Sequence, residues 1–165
     1  MASNTELIKQ LRELTNAGVM DCRNALVECN DDIHKAEELL LQKGIASASK
    51  KIGRDTNQGI IETYIHGGGR IGSIIEMNCE TDFVARTDEF KNLCHNIAMQ
   101  VAAMDPKAVS FEINPDSKLT KDDFLVNQSF IKDPSKTIQD LINEYVGKLG
   151  ENIKIRRFER FSLGE

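Results

Sequence analysis

The chain has 165 residues, 40% hydrophobic and 28% charged, with no tryptophan, 5% aromatics and a formal net charge of −5. That length suits one ordinary domain, or a small domain joined to a medium one, with a mostly aliphatic core. The negative field disfavours a phosphate backbone as partner, and no apolar run approaches the roughly 20 residues that span a bilayer.

The first 44 residues predict three short helices. Leu7, Ile8, Leu11 and Leu14 repeat at helical spacing after the candidate caps Ser3 and Asn4. Asn16-Ala17-Gly18 breaks that pattern. Cys22, Leu26 and Cys29 form a second stripe, closed by Asn30-Asp31-Asp32, and Ile33, Ala36, Glu37 and Leu40 a third. Gly44 suits the position just past a helix end. Residues 45–58, with Ala46-Ser47-Ala48-Ser49 and then Lys50, Lys51 and Arg54, read as a flexible or semi-helical connector.

From residue 59 the period changes to two. Ile61, Thr63 and Ile65 alternate with Glu62 and Tyr64; after Gly67-Gly68-Gly69, residues Ile71, Ser73, Ile75, Met77 and Cys79 alternate with Ile74, Glu76 and Asn78. This predicts a hairpin with a glycine turn. A helix follows, with Phe90, Leu93, Cys94, Ile97, Val101 and Met104 on one face and Asp105-Pro106 as its stop. A short strand is expected at Phe111 and Ile113, then turns around Asn114-Pro115-Asp116. Ser135 or Thr137 starts a last helix that Gly150 stops, and Asn152–Phe161 reads as a final strand. The region 59–165 is thus an α+β unit with helices on a mainly antiparallel sheet. No internal repeat is visible.

Familiar chemistry finds little support. Gly67-Gly68-Gly69-Arg70 lacks the GxxxxGK[ST] arrangement and precedes a strand, so it does not read as a phosphate loop. Cys22, Cys29, Cys79 and Cys94 have no CxxC spacing and read as reduced, partly buried thiols rather than zinc ligands. His34, His66 and His95 stand in separate elements without an adjacent nucleophile. The N-terminus has the features of neither a secretory nor an organellar signal, which gives the expectation of a cytoplasmic protein.

The segment Glu76–Arg86, EMNCETDFVAR, asks for more. Thr81 is a good N-cap and Asp82 suits a first helical turn. Phe83 falls on the junction, either as a core plug or as an apolar knob beside an acid.

This segment resembles the second signature of the elongation factor Ts family, and LRELTNAGVMDCRNAL, Leu11–Leu26, resembles its first. The likeness continues through Phe130–Phe161. It implies a module like a ubiquitin-associated domain at 1–44, a linker at 45–58 and a core at 59–165 of the dimerisation type. It implies a non-enzymatic exchange factor that binds the GTPase elongation factor Tu and releases GDP, with no cofactor or metal of its own. The partner-binding positions carried over are Arg12, Val19, Met20, Arg23, Thr81, Asp82 and Phe83; the phenylalanine of the motif is understood to push between two helices of the GTPase and disturb its Mg²⁺ and phosphate site. Two positions depart from the pattern. Arg23 stands where lysine is usual, and Gln100 stands where many members carry histidine. The single core resembles the short bacterial form, which implies a homodimer. An adaptor built on the three-helix module, and a small hydrolase using Asp82, His66 or His95, are the competing readings.

Overall fold

A computed structural model describes residues 4–15, 17–115 and 118–164. The candidate cap Ser3, the breaker Asn16 and the turn residue Asp116 lie outside them. Helices α1 (Asn4–Thr15), α2 (Val19–Glu28) and α3 (Ile33–Ser49) come first, and are consistent with the three-helix module. Gly18 supplies the extended residue before α2 without a side-chain cap. Asn30 and Asp31 turn the chain in left-handed conformations, a role asparagine and aspartate tolerate. Asp32 then caps α3, accepting from the Lys35 N–H at 3.1 Å. Leu11, Cys22, Ala25, Leu26 and Ala36 form the buried centre of this module, with Leu7, Ile8, Cys29, Ile33 and Leu40 packed around it.

Two expectations for this region are corrected. Gly44 does not follow a helix end; α3 runs through it to Ser49. There it packs against a later helix, and a Cβ on Gly147 would lie 3.6 Å from the Gly44 Cα. Residues 45–49 of the expected connector are therefore helix, and Ala48 is buried in the larger core. Leu14 is not a core residue either. It is 55% exposed, because the end of α1 overhangs a core too small to cover it.

Strands β1 (Gln58–His66) and β2 (Ile71–Cys79) form the expected antiparallel hairpin. Gly67, Gly68 and Gly69 all take positive φ in its turn, which only glycine does freely. Gly59 is needed for a different reason: any Cβ there would meet the Met77 carbonyl oxygen at 2.0 Å. A one-turn helix α4 (Asp82–Ala85) and the long helix α5 (Asp88–Met104) follow. Thr87 caps α5 by accepting from the Phe90 N–H at 3.2 Å, and Asp105 ends it in the left-handed conformation before Pro106. Met104 is exposed at this end, not part of the buried face.

Phe111 and Ile113 do not form a strand. They stand in an exposed turn held by local bonds such as Asn114 N–H to the Ser110 carbonyl. The small hairpin β3 (Ser129–Phe130) and β4 (Asp133–Thr137) leads into α6 (Ile138–Leu149). Thr137 and Asp140 cap α6 reciprocally. Strand β5 (Ile153–Ser162) then pairs antiparallel with β2, giving the sheet order β1-β2-β5. The protein is α+β. On the inner face of the sheet Ile75, Met77, Cys79, Ile153 and Ile155 pack with Phe90, Leu93, Ile97 and Val101 of α5 and Ile138 and Ile142 of α6. The outer face keeps Ile61, Ile65, Ile74 and Phe161 in the open. In β1, Ile60 and Tyr64 pack inward, while Ile61 and Ile65 face out.

Candidate functional site

Two exposed surfaces carry the candidate residues. The first is the corner between β2 and α5. Beyond Cys79 the chain leaves the sheet, and Thr81 caps the single turn of α4 by accepting from the Val84 N–H at 3.4 Å. Six residues later Thr87 donates its hydroxyl to the Val84 carbonyl at 2.8 Å. The turn is thus pinned from both ends. Ala85 is buried beneath it and Val84 packs on the core, which leaves Phe83 pointing away. Phe83 is 79% exposed: of the two readings of this residue, the knob is the one observed. Asp82 pairs with Arg86 at 2.7 Å, one helical turn on.

The corner is also held from the other end of the chain. The Glu151 carboxylate accepts from the Glu80 N–H (3.1 Å), the Thr81 N–H (3.0 Å) and the Thr81 hydroxyl (2.6 Å). In return the Glu80 carboxylate accepts from the Asn152 N–H at 2.6 Å and from Arg54 at 3.4 Å. The Asn152 amide donates to the carbonyls of Ile52 and Arg54, which fastens the turn after α3 to the same place. Burial, reinforced by the nearby Glu151 charge, pushes the Cys79 thiol up to about 11.

The second surface is the end of the N-terminal module. Arg12 at the close of α1, and Val19, Met20 and Arg23 on the first turns of α2, are all exposed. Arg12 reaches the Ala17 carbonyl at 3.4 Å, and Cys22, Ala25 and Leu26 are buried behind the exposed face. Seven candidate residues therefore divide into a group of four on the module and a group of three, Thr81, Asp82 and Phe83, on the core.

The elongation factor Ts family model matches residues 4–123, a span that contains both surfaces. Curated elongation factors Ts align over almost the whole chain. That of Caldanaerobacter subterraneus is 46% identical, covering 98% of this chain and 97% of the relative. That of Thermotoga neapolitana is 46% identical over 100% and 99% respectively, and that of Carboxydothermus hydrogenoformans 46% over 98% and 89%. The chain belongs to the elongation factor Ts family. The alignments extend over more positions than this chain has residues, 194 against 165 in the first case, so these relatives carry residues that this chain lacks.

Gln100, the second departure from the family pattern, is a structural clasp. It is fully buried, donates to Gln128 and to the Ser129 carbonyl, and accepts from the Ile131 N–H at 3.0 Å. It holds the β3–β4 hairpin onto α5. Among the other side chains considered for chemistry, the His66 ring stacks on Tyr64 and the His95 ring meets Tyr64 edge-on, with Glu62 3.9 Å from His95. His34 is exposed on α3. Among the described residues no group of three or more His, Cys, Asp or Glu is placed to hold a metal ion, and no helix is long and apolar enough to cross a membrane.

Sequence reasoning missed Leu14 and Glu151. Leu14 sits at core spacing, so nothing local marks it as exposed. Glu151 is an acid after a helix-ending glycine, and its partners lie some seventy positions earlier in the chain.

Proposed function

We propose that the chain is a guanine-nucleotide exchange factor that binds elongation factor Tu carrying GDP and promotes release of GDP and Mg²⁺ in the bacterial cytoplasm, without covalent chemistry. The observation that carries this reading is Phe83, an exposed aromatic ring on a turn capped at both ends. A ring held out in this way can enter a partner without first paying for its own ordering. Burying one phenylalanine is worth roughly 1.5–3 kcal/mol. If the ring is buried only when the nucleotide site of the GTPase is open, that energy is spent on opening the site. Linkage makes the effect mutual: the factor weakens GDP as much as GDP weakens the factor. Arg12, Val19, Met20 and Arg23 supply a second contact, which adds affinity and holds the factor in register on the GTPase. The net charge of −5 fits a protein partner better than a nucleic acid.

The working unit in this reading is a homodimer. The outer face of the sheet leaves Ile61 and Ile65 65% exposed and Phe161 68% exposed, apolar side chains of the kind that a second subunit covers. Ile65→Lys should convert the dimer to a monomer in sedimentation equilibrium; a monomeric unaltered chain ends the dimer reading.

The exchange function is tested by stopped-flow release of fluorescent GDP from elongation factor Tu. Acceleration that rises with the concentration of this chain is the expected result. No acceleration with a cognate GTPase rules the function out and leaves the adaptor reading, to be tested by a pull-down with the N-terminal module.

A further inference from the structure

The partner-facing residues of the proposed function do not by themselves fix where Phe83 points, because the Thr81 cap is itself held by Glu151. We infer that Glu151 is the positioning residue of the Phe83 corner, acting through the Thr81 hydroxyl, an inference that rests on the exchange reading. The chain of contacts is continuous. The Thr81 hydroxyl has one proton. Giving it to Glu151 Oε1 at 2.6 Å leaves the oxygen lone pairs for the Val84 N–H, which is the bond that starts the turn carrying Phe83. The second carboxylate oxygen takes the N–H groups of Glu80 and Thr81. These two donors lie just past Cys79↔Ile153, the last ladder pair between β2 and β5, where the sheet offers them no carbonyl. An ionised carboxylate, an acceptor only, suits three converging donors, and such bonds are stronger than neutral ones.

Glu151 is itself firmly mounted. Gly150 closes α6 in the left-handed conformation, with its N–H on the Val146 carbonyl at 3.0 Å. Asn152 is buried and bonded to Glu80, Ile52 and Arg54, and β5 begins at Ile153. The same three-residue segment thus faces the corner through Glu151 and the turn after α3 through Asn152. It fixes the Phe83 corner against the end of the helix that belongs to the N-terminal module.

Glu151→Gln keeps the shape but turns one acceptor oxygen into a donor. In the full chain it should lower the rate of GDP release at saturation by about tenfold, the scale of misplacing a working group rather than deleting it. The half-saturating concentration should stay within about twofold, since the binding surfaces remain. A role in overall stability alone would do the opposite: a partly unfolded population raises the concentration needed and leaves the saturating rate unchanged. An independent readout needs no GTPase. The chain has no tryptophan, so Phe83→Trp reports on the corner alone, and adding Glu151→Gln should lower its fluorescence anisotropy. A saturating rate unchanged by Glu151→Gln, in a protein where Phe83→Ala slows release, overturns the positioning role and leaves the exchange function standing. Unchanged anisotropy overturns it too. If the unaltered chain does not accelerate release at all, the exchange reading fails and the anisotropy alone decides whether Glu151 holds the corner.

Discussion

The two exposed surfaces differ in how hard they are held. The Phe83 corner stands on the larger core, has a threonine cap on each side, and is clasped by a carboxylate from a distant part of the chain. The end of the N-terminal module stands on five fully buried residues. Its helix α2 begins at a glycine with no side-chain cap, and its apolar side chains Leu14, Val19 and Met20 are about half exposed. A rigid projection can do work on a partner, because force applied to it is not lost in its own rearrangement. A softly held surface adapts to the partner and contributes affinity. The proposed division of labour follows: the corner sets the rate at which nucleotide leaves, and the module sets the concentration at which that rate is reached.

Substitutions can break this division from either side. The largest effect is expected from Phe83→Ala, which should lower the saturating rate of GDP release by about ten- to a hundredfold, the equivalent of the apolar burial it removes, while much of the binding survives. An unchanged saturating rate would end the wedge role. Ala48→Leu attacks the join between the regions. Ala48 is 5% exposed in the larger core although it belongs to the last helix of the module, and overpacking there should cost about 1–3 kcal/mol in denaturant unfolding. If Ala48→Leu were neutral, α3 would not be anchored as described. The smallest effect is expected from Met20→Asp. It should raise the half-saturating concentration about tenfold, the scale of one good interface contact, with the saturating rate preserved. A fall in the saturating rate instead would mean that the two surfaces do not work separately.

The join itself was the hardest part to read in the sequence. Ala46-Ser47-Ala48-Ser49 has the composition of a connector, and Gly44 that of a helix stop. Both residue types are small, and small residues serve equally where a chain must be loose and where two helices must come close. The approach of Gly44 to Gly147 and the burial of Ala48 distinguish the cases. The expected strand at Phe111 and Ile113 failed for a related reason. Alternating apolar residues report a half-buried surface only if a sheet edge is available to pair with, and here the segment turns in solvent.

What the sequence determined by itself is local. Period-two alternation put Ile71, Ser73, Ile75, Met77 and Cys79 on one side of the strand, and from Ser73 onward these are the buried residues, because successive side chains of a pleat point to opposite faces. The stops at Asp105-Pro106 and Gly150, and the caps at Thr81 and Thr137, were legible because they satisfy backbone groups within a few residues of themselves. The tertiary structure alone decided that Phe83 faces solvent, that Leu14 does too, and that Glu151 reaches the N–H groups of Glu80 and Thr81. Each of those depends on which surface comes to lie beside which, and a contact across seventy residues leaves no period in the chain that makes it.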